Sequence, residues 1–372
     1  MNQTDPVTRR RFGVEEELLL VDALDGHPVP AGSEVLVAAQ ERLGRERAHQ
    51  VEHEFKLQQT EIGSAPCETA DELLEQLTEL RRAIAGAARE LGVGIVAGAT
   101  HPLPVRPVPT ANDRYAHMAD AFGMIARQQL TCGQHIHVDV ESDEEGIGAI
   151  DRMAGWLSVI IALSANSPFW QGEDTGYSSY RTIAWGLWPT AGPTQPFRTV
   201  AGYRDAVDRL VASGTALDSG MIYFDARLSA KYPTVEVRVA DVCTDVRDAV
   251  LVAVLVRALV ETAAAEWRSG AELKEERIEM LRAGVWRAAR SGLTEDLVDP
   301  RSGLPADAWT VVDALVEHVA EALAINGDRE LVDAGIARLR RSGGGSERQR
   351  AVLARDGELA AVVLDAMRRT ID

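Results

Sequence analysis

Three short segments of this sequence alternate between apolar side chains and charged or imidazole side chains. A β-strand has this period of two, so each segment places its apolar residues on one face and its polar residues on the other. An antiparallel sheet that buries only one face produces such segments, whereas a parallel sheet covered on both sides gives continuous apolar runs. The polar faces carry Glu15 and Glu17 in the first segment, His135, His137 and Asp139 in the second, and Glu236 and Arg238 in the third.

The remaining patterns predict an α+β fold. Residues 69–72 match a helix capping box, and helical spacing of apolar residues follows them. Strands and helices do not alternate regularly, so we expect helices packed on one side of the sheet. Residues 167–197 are predicted as a long irregular loop, and nearly everything from about residue 245 has helical periodicity, broken once at Gly343. We therefore expect residues 1–372 to form a single catalytic α+β domain with a mainly helical C-terminal part.

Composition argues against several classes of partner. The 372 residues include 39 Lys and Arg and 57 Asp and Glu, a net charge of −18. Nucleic acids and anionic membranes require a basic surface, so we expect neither as a partner. The three cysteines are too few for a disulfide framework and the N-terminal MNQTDPVTRRRFG is polar, which together predict a cytoplasmic protein. The most apolar run, residues 249–260, contains Arg257 and is too short to cross a membrane, so it predicts a buried helix.

The polar faces predict a site for a divalent cation. Clustered carboxylates repel one another unless a cation lies among them, and oxygen ligands with a minority of imidazole suit Mg²⁺ or Mn²⁺. Zinc is less favoured because neither CxxC nor HExxH occurs. The simpler explanation is that these faces meet solvent, as in many antiparallel sheets. Three strands that carry Glu and His rather than Lys, Thr and Ser favour the cation.

Strand periodicity gives a less clear answer for Glu54 and Glu61. Their separation of seven residues is odd, which places them on opposite faces of a regular strand. Both would reach one site only through a bulge or a strand break. The pattern alone therefore favours a structural or solvated role for at least one of them.

Motifs for other kinds of active site are missing. The sequence contains no GxxxxGK[ST] phosphate loop and no GxSxG nucleophile elbow. Gly92–Gly98 is glycine-rich, but it lies within a strand pattern that follows a helix, which is the wrong context for a dinucleotide loop. Cys67, Cys132 and Cys243 are expected to be small buried residues rather than nucleophiles.

Six short motifs follow one another between about residues 10 and 250. They are Gly13-Val-Glu-Glu-Glu-Leu, the segment 54–61, Thr100-His-Pro, Cys132-Gly-Gln-His-Ile-His-Val, Leu163-Ser-Ala-Asn-Ser-Pro-Phe-Trp and Val235-Glu-Val-Arg. This set resembles the carboxylate–amine ligases similar to glutamate–cysteine ligase type 2. No single motif is decisive, but the ordered set is highly specific. Gln134 departs from the family pattern, in which a small or variable residue is expected.

The resemblance implies a glutamine-synthetase-like fold, a curved antiparallel sheet that holds ATP and metal on its concave face, with helices packed on its outer face. It implies an ATP-dependent ligase that joins a glutamate-type carboxylate to an amine such as cysteine, with weak glutamate–cysteine ligase activity. The reaction would pass through an acyl phosphate and release ADP and phosphate. ATP and Mg²⁺, or Mn²⁺ in its place, are the expected cofactors, and a homodimer is the working expectation for assembly.

The resemblance also implies roles for individual residues. Arg238 and His135 are the expected catalytic residues, and Arg238 would neutralise the transferring phosphate or bind the substrate carboxylate. Arg181, in the aromatic loop 177–181, is a second candidate for binding a substrate or cofactor anion, with a surface ion pair as its alternative role. The expected metal ligands are Glu15, Glu17, Glu54, Glu61, His135 and Glu236.

Two other functions remain open at this point. A metal-dependent hydrolase could be built around His135 and His137, although such enzymes need further histidine ligands. A protein that binds nucleotide or metal for regulation, without catalysis, is the second alternative. The sequence does not identify the amine, and the loop 167–197 is expected to determine that choice.

Overall fold

An antiparallel sheet of seven strands organises the described part of the chain, residues 9–372 of this computed structural model. Two small hairpins, β6–β7 and β10–β11, lie outside the sheet. The first eight residues of the polar N-terminal segment lie outside the described range. The strands are β1 (Phe12–Asp22), β2 (Val51–His53), β3 (Gln59–Gly63), β4 (Val93–Val96), β5 (Gly133–Asp139), β6 (Phe169–Trp170), β7 (Glu173–Asp174), β8 (Ala226–Leu228), β9 (Thr234–Asp241), β10 (Asp296–Val298) and β11 (Pro305–Asp307).

The same described residues form fifteen α-helices, which pack mainly behind the apolar face of the sheet. They are α1 (Gly32–Arg47), α2 (Ala70–Glu90), α3 (Asp113–Phe122), α4 (Met124–Gln128), α5 (Asp143–Met153), α6 (Leu157–Ser164), α7 (Tyr180–Trp185), α8 (Val200–Ala212), α9 (Val246–Arg268), α10 (Ile278–Ser291), α11 (Ala308–His318), α12 (Ala320–Asn326), α13 (Arg329–Ser342), α14 (Gly345–Asp356) and α15 (Leu359–Ile371).

Strand β1 forms the centre of the sheet. It pairs with β3 along one edge and with β5 and β4 along the other, and the strand order is β2-β3-β1-β5-β9-β8 with β4 beside β1. All six pairings are antiparallel. The predicted α+β class with an antiparallel sheet is therefore confirmed.

The apolar face of the sheet packs against helices α5, α6 and α9. Val14, Ile136 and Val237 point into one continuous core that these helices complete. Helices from the C-terminal part, including α11 and α13, add side chains to the same core. Burial of apolar surface on one side of the sheet leaves its other side for polar residues.

Helix α9 carries the apolar run 249–260 through the core, and every side chain in that run is buried. Arg257 is accommodated because its guanidinium pairs with Asp328 and donates a hydrogen bond of 2.8 Å to the carbonyl of Glu68. The same guanidinium lies 4.0 Å from the centre of the Phe12 ring. The prediction of a buried helix is confirmed.

Helix α2 begins at the predicted capping box. The Glu72 amide donates to Thr69 Oγ1 at 3.2 Å, and the Thr69 amide donates back to the Glu72 carboxylate at 3.3 Å. These two bonds satisfy backbone groups that would otherwise have no partner at the helix start. The helix then runs along the back of the sheet, where it contacts α9, α1 and β4.

Two segments differ from the sequence-based expectation. Residues 167–197 contain the hairpin β6–β7 and the short helix α7, so the segment is more ordered than a continuous irregular loop. The hairpin β10–β11 interrupts the mainly helical part of the chain after residue 245. Both hairpins have strands of only two or three residues, too short for period-two alternation to stand out in the sequence.

One stretch among the described residues, Asp143–Ser164, is long and apolar enough by length and composition to span a membrane. It consists of α5, a short 3₁₀ turn and α6, and 83% of its most apolar window is buried inside the fold. Its apolar side chains are part of the core that supports the sheet.

Candidate active site

Strand pairing brings the predicted polar residues onto one face of the sheet. Glu15 on β1 lies directly opposite His135 on β5, and Glu17 lies opposite Glu61 on β3. Glu236 on β9 lies opposite His137 of β5. Residues directly opposite one another in an antiparallel pair share a face, so four neighbouring strands contribute to one polar surface.

The Glu15 carboxylate lies close to the side chains of both His135 and His137. Its oxygens lie 3.4 Å from His135 Nδ1 and 3.3 Å from His137 Nε2. One ligand atom each from Glu15, His135 and Glu236 lies within 4.8 Å of the other two. Two carboxylates and one imidazole at this separation match the oxygen-rich ligand sets of Mg²⁺ and Mn²⁺.

The neighbouring carboxylates carry an unfavourable concentration of negative charge. Burial and the nearby carboxylate of Glu54 raise the pKa of Glu17 to about 8. Burial, together with Glu15, Glu54 and Glu17, raises the pKa of Glu61 well above its usual range. A cation among these groups would remove that repulsion, which is why the donor set fits a divalent ion.

His135 is held in a form that can act as a ligand. Burial, followed by the positive charge of Arg238, lowers the pKa of His135 to about 4. The imidazole is therefore neutral near pH 7 and keeps a free electron pair on one ring nitrogen. Its Nε2 lies 4.0 Å from the Glu17 carboxylate.

A strand break places Glu54 at the edge of the same surface. β2 ends at His53 and β3 begins at Gln59, so Glu54 lies in the connecting loop and does not follow strand alternation. Thr110 donates a hydrogen bond of 2.6 Å to the Glu54 carbonyl, and this fixes the loop against the proline-rich segment. The break removes the objection that Glu54 and Glu61 must occupy opposite faces.

Glu236 is bound by two arginines. Arg227 on β8 donates two hydrogen bonds to its carboxylate, at 2.8 and 3.1 Å, and Arg238 donates a third. Arg227 was not singled out from the sequence. It lies in a strand of three residues, Ala226–Leu228, which is too short for alternation to reveal its facing direction.

One nitrogen of the Arg238 guanidinium has no hydrogen-bond partner in the described part of the chain. Arg238 Nη1 contacts Glu236 and lies 3.4 Å from His135 Nδ1. Its Nε is buried and has no hydrogen-bond partner among the described residues. A guanidinium can bind a carboxylate or a phosphate through two parallel hydrogen bonds.

Arg181 is buried beneath the site, with 2% of its surface exposed. The alternative of a surface ion pair is therefore wrong. Its Nη1 and Nη2 donate to the carbonyls of Val239 and Arg238, at 3.3 and 3.1 Å. Arg181 thus supports the backbone of β9 and has only its buried Nε without a partner.

Residues outside this surface also follow the sequence-based expectation. Cys67, Cys132 and Cys243 are buried free thiols, and burial is the main cause that raises the pKa of each. A raised pKa keeps a thiol protonated and weakly nucleophilic. The cysteines are therefore structural residues, as predicted.

Most of the chain matches the model of a known protein family. The model described as "Glutamate-cysteine ligase family 2 (GCS2)" matches residues 11–365. The chain belongs to glutamate–cysteine ligase family 2. A relative from Streptomyces coelicolor, named "Putative glutamate--cysteine ligase 2", is 48% identical over 361 residues, covering 97% of this chain and 99% of the relative. The resemblance drawn from the six motifs is therefore confirmed.

Solved structures of ligases share the fold of this family member. Glutamate–cysteine ligase from Francisella tularensis, solved in complex with AMP, matches with a TM-score of 0.73 at 13% identity, over 98% of this chain and 88% of that chain. A bifunctional glutathione synthetase from Pasteurella multocida matches with a TM-score of 0.69 at 15% identity, over 98% of this chain and 52% of that chain. The glutamine-synthetase-like fold class is confirmed.

Membership of a ligase family favours the ligase over the hydrolase alternative. The site geometry agrees, because the group of possible metal ligands found among residues 9–372 contains one histidine and two glutamates. The second histidine of the pair, His137, contacts Thr234 Oγ1 at 3.1 Å and the Glu15 carboxylate. The histidine-rich ligand set that a hydrolase would need is not assembled in the described residues.

Proposed function

We propose that this protein is an ATP-dependent carboxylate–amine ligase that forms a γ-glutamyl amide, with weak glutamate–cysteine ligase activity. The observation that carries the proposal is the surface on which Glu15, His135 and Glu236 converge beside the Arg238 guanidinium, whose Nε has no partner within residues 9–372. Family membership and the AMP complex of the Francisella tularensis relative support a nucleotide as the energy source. Mg²⁺ is the proposed ion, with Mn²⁺ as a substitute.

The carboxylates and His135 have the proposed role of binding the divalent ions. Such ions supply charge neutralisation for the triphosphate of ATP. The chain lacks a phosphate loop, so this acidic surface is the part of the protein suited to that task. The proposed ligands are Glu15, Glu17, Glu54, Glu61, His135 and Glu236.

Arg238 and His135 are the proposed catalytic residues. A carboxylate resists attack by an amine, and transfer of the γ-phosphoryl group converts it into a reactive acyl phosphate. The Arg238 guanidinium would stabilise the oxygens that gain charge during that transfer. His135 lies beside the same guanidinium, with its Nδ1 3.4 Å from Arg238 Nη1. The amine then attacks the acyl carbon, and phosphate leaves.

We also propose a domain organisation, substrates, a location and an assembly for this protein. The helices after residue 245 share a core with the sheet, which supports residues 1–372 as one catalytic domain. The proposed substrates are small molecules, a glutamate-type carboxylate and an amine for which cysteine is the first candidate. A cytoplasmic location and a homodimer complete the proposal.

Isotope transfer tests the reaction path. With glutamate labelled with ¹⁸O in its γ-carboxylate, one labelled oxygen should enter free phosphate for each amide formed, with ADP as the other product. Labelled oxygen in AMP would indicate attack at the α-phosphorus and contradict the acyl phosphate. Amide formation without label in either product would show that the carboxylate is not activated.

A substrate panel separates the three functions. ATP consumption that requires Mg²⁺ and is stimulated by a pair of carboxylate and amine supports the ligase. Metal-dependent hydrolysis without ATP would support the hydrolase, and nucleotide binding without turnover would support the regulator. An untargeted screen of metabolite mixtures with labelled ATP would then identify the amine.

A further inference from the structure

Asp225 lies beside the proposed catalytic residues, although neither the motifs nor the strand pattern singled it out. It directly precedes β8, and its carbonyl accepts a hydrogen bond of 2.9 Å from the Arg238 amide. The β8–β9 pairing, continued by one residue, therefore places Asp225 opposite Arg238. Because Ala226 points into the core, Asp225 belongs on the polar face.

The backbone of Asp225 is fixed from both sides, whereas its carboxylate is unpartnered. Its amide donates to the Gly192 carbonyl at 3.0 Å. No hydrogen-bond donor among residues 9–372 contacts its carboxylate, and the side chain remains half-buried. Burial raises the pKa of Asp225 to about 7, with Arg181 opposing that shift. A carboxylate that is desolvated without a partner is costly, so this position is suited to a cationic ligand.

The surroundings of Asp225 fit a small zwitterion. Arg238 lies on the opposite strand, and its Nε has no hydrogen-bond partner among the described residues. The ring of Tyr223 lies 6.0 Å from the Arg238 guanidinium and packs 4.8 Å from the ring of Trp185. A guanidinium and an unpartnered carboxylate on facing strands, with aromatic rings beside the guanidinium, are groups that can bind an α-amino acid.

We propose that Asp225 binds the ammonium group of the amino-acid substrate whose carboxylate is activated. This assignment rests on the proposed ligase function and adds a specificity-determining residue to it. Asp225 directly precedes β8, the strand next to the one that carries Glu236, and adjacent strands are about 4.8 Å apart. The amino group of a glutamate-type substrate lies a few carbon atoms from its γ-carboxylate, so a residue on the strand next to Glu236 and Arg238 is placed to bind it.

The test compares substrates with and without the amino group. L-Glutamate and glutarate differ only in that group, and each is titrated into wild type, Asp225→Asn and Asp225→Glu by calorimetry with Mg²⁺ and a non-hydrolysable ATP analogue. Asp225→Asn should weaken L-glutamate binding roughly 10- to 100-fold, the range expected for one hydrogen bond to a charged group. Glutarate affinity should change less than about twofold, and Asp225→Glu should recover part of the L-glutamate affinity.

Kinetics separate this role from its alternatives. With ATP and the second substrate held at saturation, Asp225→Asn should raise KM for L-glutamate and leave KM for cysteine unchanged. Asp205→Asn, an exposed aspartate on α8, is the matched control and should alter neither value. Equal losses for L-glutamate and glutarate, or an effect on cysteine alone, would overturn the assignment.

Failure of the assignment can be told apart from failure of the proposed function. If wild type prefers L-glutamate and Asp225→Asn keeps that preference with an unchanged melting temperature, Asp225 is not the ammonium site. If wild type binds L-glutamate but forms no amide with any amine, the ligase proposal fails while the binding comparison still decides the role of Asp225. Absence of L-glutamate binding to wild type overturns both.

Discussion

Arg81 on α2 donates two hydrogen bonds, of 2.8 and 2.7 Å, to the carboxylate of Glu16 on β1, and both side chains are almost completely buried. Glu16 lies between Glu15 and Glu17 in sequence but points to the opposite face of the strand. The remaining donors of Arg81 reach the carbonyls of Cys243 and Thr244, which follow β9. One ion pair therefore ties the back of two strands whose fronts carry the proposed metal ligands.

Removal of Arg81 should destabilise the fold strongly. Arg81→Met leaves the Glu16 carboxylate buried without a counter-charge, and breaking a buried pair in this way costs about 3–5 kcal/mol. Urea unfolding measures the loss. Arg329→Met, which breaks an exposed pair with Asp333, is the control and should cost less than about 1 kcal/mol. A similar loss of unfolding free energy in both variants would show that the buried pair stabilises the fold no more than an exposed pair does.

The proposed metal ligands should be required for metal binding itself. Glu15→Gln and Glu236→Gln keep the side-chain shape but remove the charge that attracts Mn²⁺. Titration followed by electron paramagnetic resonance should show at least a roughly tenfold weaker Mn²⁺ Kd in each variant, about 1.4 kcal/mol. Glu144→Gln, on the exposed face of α5, should bind Mn²⁺ as wild type does. Unchanged binding in both site variants would rule out this surface as the metal site.

Arg227 should compete with the ion for Glu236. Both oxygens of Glu236 accept hydrogen bonds from Arg227, so a cation must displace at least one of them. Arg227→Met should therefore tighten Mn²⁺ binding, by roughly three- to tenfold if the pair contributes about 1 kcal/mol. Weaker binding would instead show that Arg227 holds Glu236 in position for the ion.

Replacement of Arg238 by lysine should separate chemistry from folding. Lysine preserves the charge but not the planar fork that can bind two oxygens at once. We expect Arg238→Lys to lower kcat by about 10²–10³, the usual loss when a group that stabilises developing charge is removed. Its melting temperature should stay close to that of wild type. Arg204→Lys, at an exposed ion pair, serves as the control. A large drop in melting temperature with full specific activity would show a packing role.

His101 should make folding stability depend on pH. Burial lowers its pKa to about 4, and its Nδ1 accepts a hydrogen bond of 3.1 Å from the Leu103 amide. The unfolded chain binds a proton near pH 6.5, whereas the folded protein does not until about pH 4. The stabilising contribution is thus complete above pH 6.5 and is lost as pH falls toward 4.

The size of this effect is about 3 kcal/mol, from the difference between the two pKa values. His101→Gln cannot bind the proton in either state, so its free energy of unfolding should fall less than that of wild type between pH 7.5 and 4. Urea unfolding across this range measures the difference. His117→Gln, at an exposed position, should follow wild type, and parallel curves for His101→Gln would contradict the prediction.

Period-two alternation correctly predicted the polar-face residues of the long strands. It succeeded for Glu15, His135 and Glu236 because their strands are long and one face of each is buried. It gave no answer for Glu54, which lies in a loop, so only the family resemblance included that residue. Strand alternation cannot predict the facing direction of a residue that lies outside a regular strand.

The residues that strand alternation did not predict depend on contacts between distant segments of the chain. Glu16 sits on the apolar face because Arg81, 65 positions away, neutralises it, and no local pattern encodes that partner. Arg227 and Asp225 belong to a strand of three residues and the position before it, where alternation cannot be recognised. Their orientation follows from pairing with β9, which only the folded chain supplies.

The close approach of Arg181 to Gly133 has a consequence for how relatives of this protein can diverge. A side chain at position 133 would occupy the space that the Arg181 guanidinium fills, so even a methyl group would collide with it. A larger residue at 133 is tolerated only after position 181 has become smaller, because the reverse order produces a collision with the guanidinium. We expect substitutions at these two positions to be inherited together, with the change at 181 coming first.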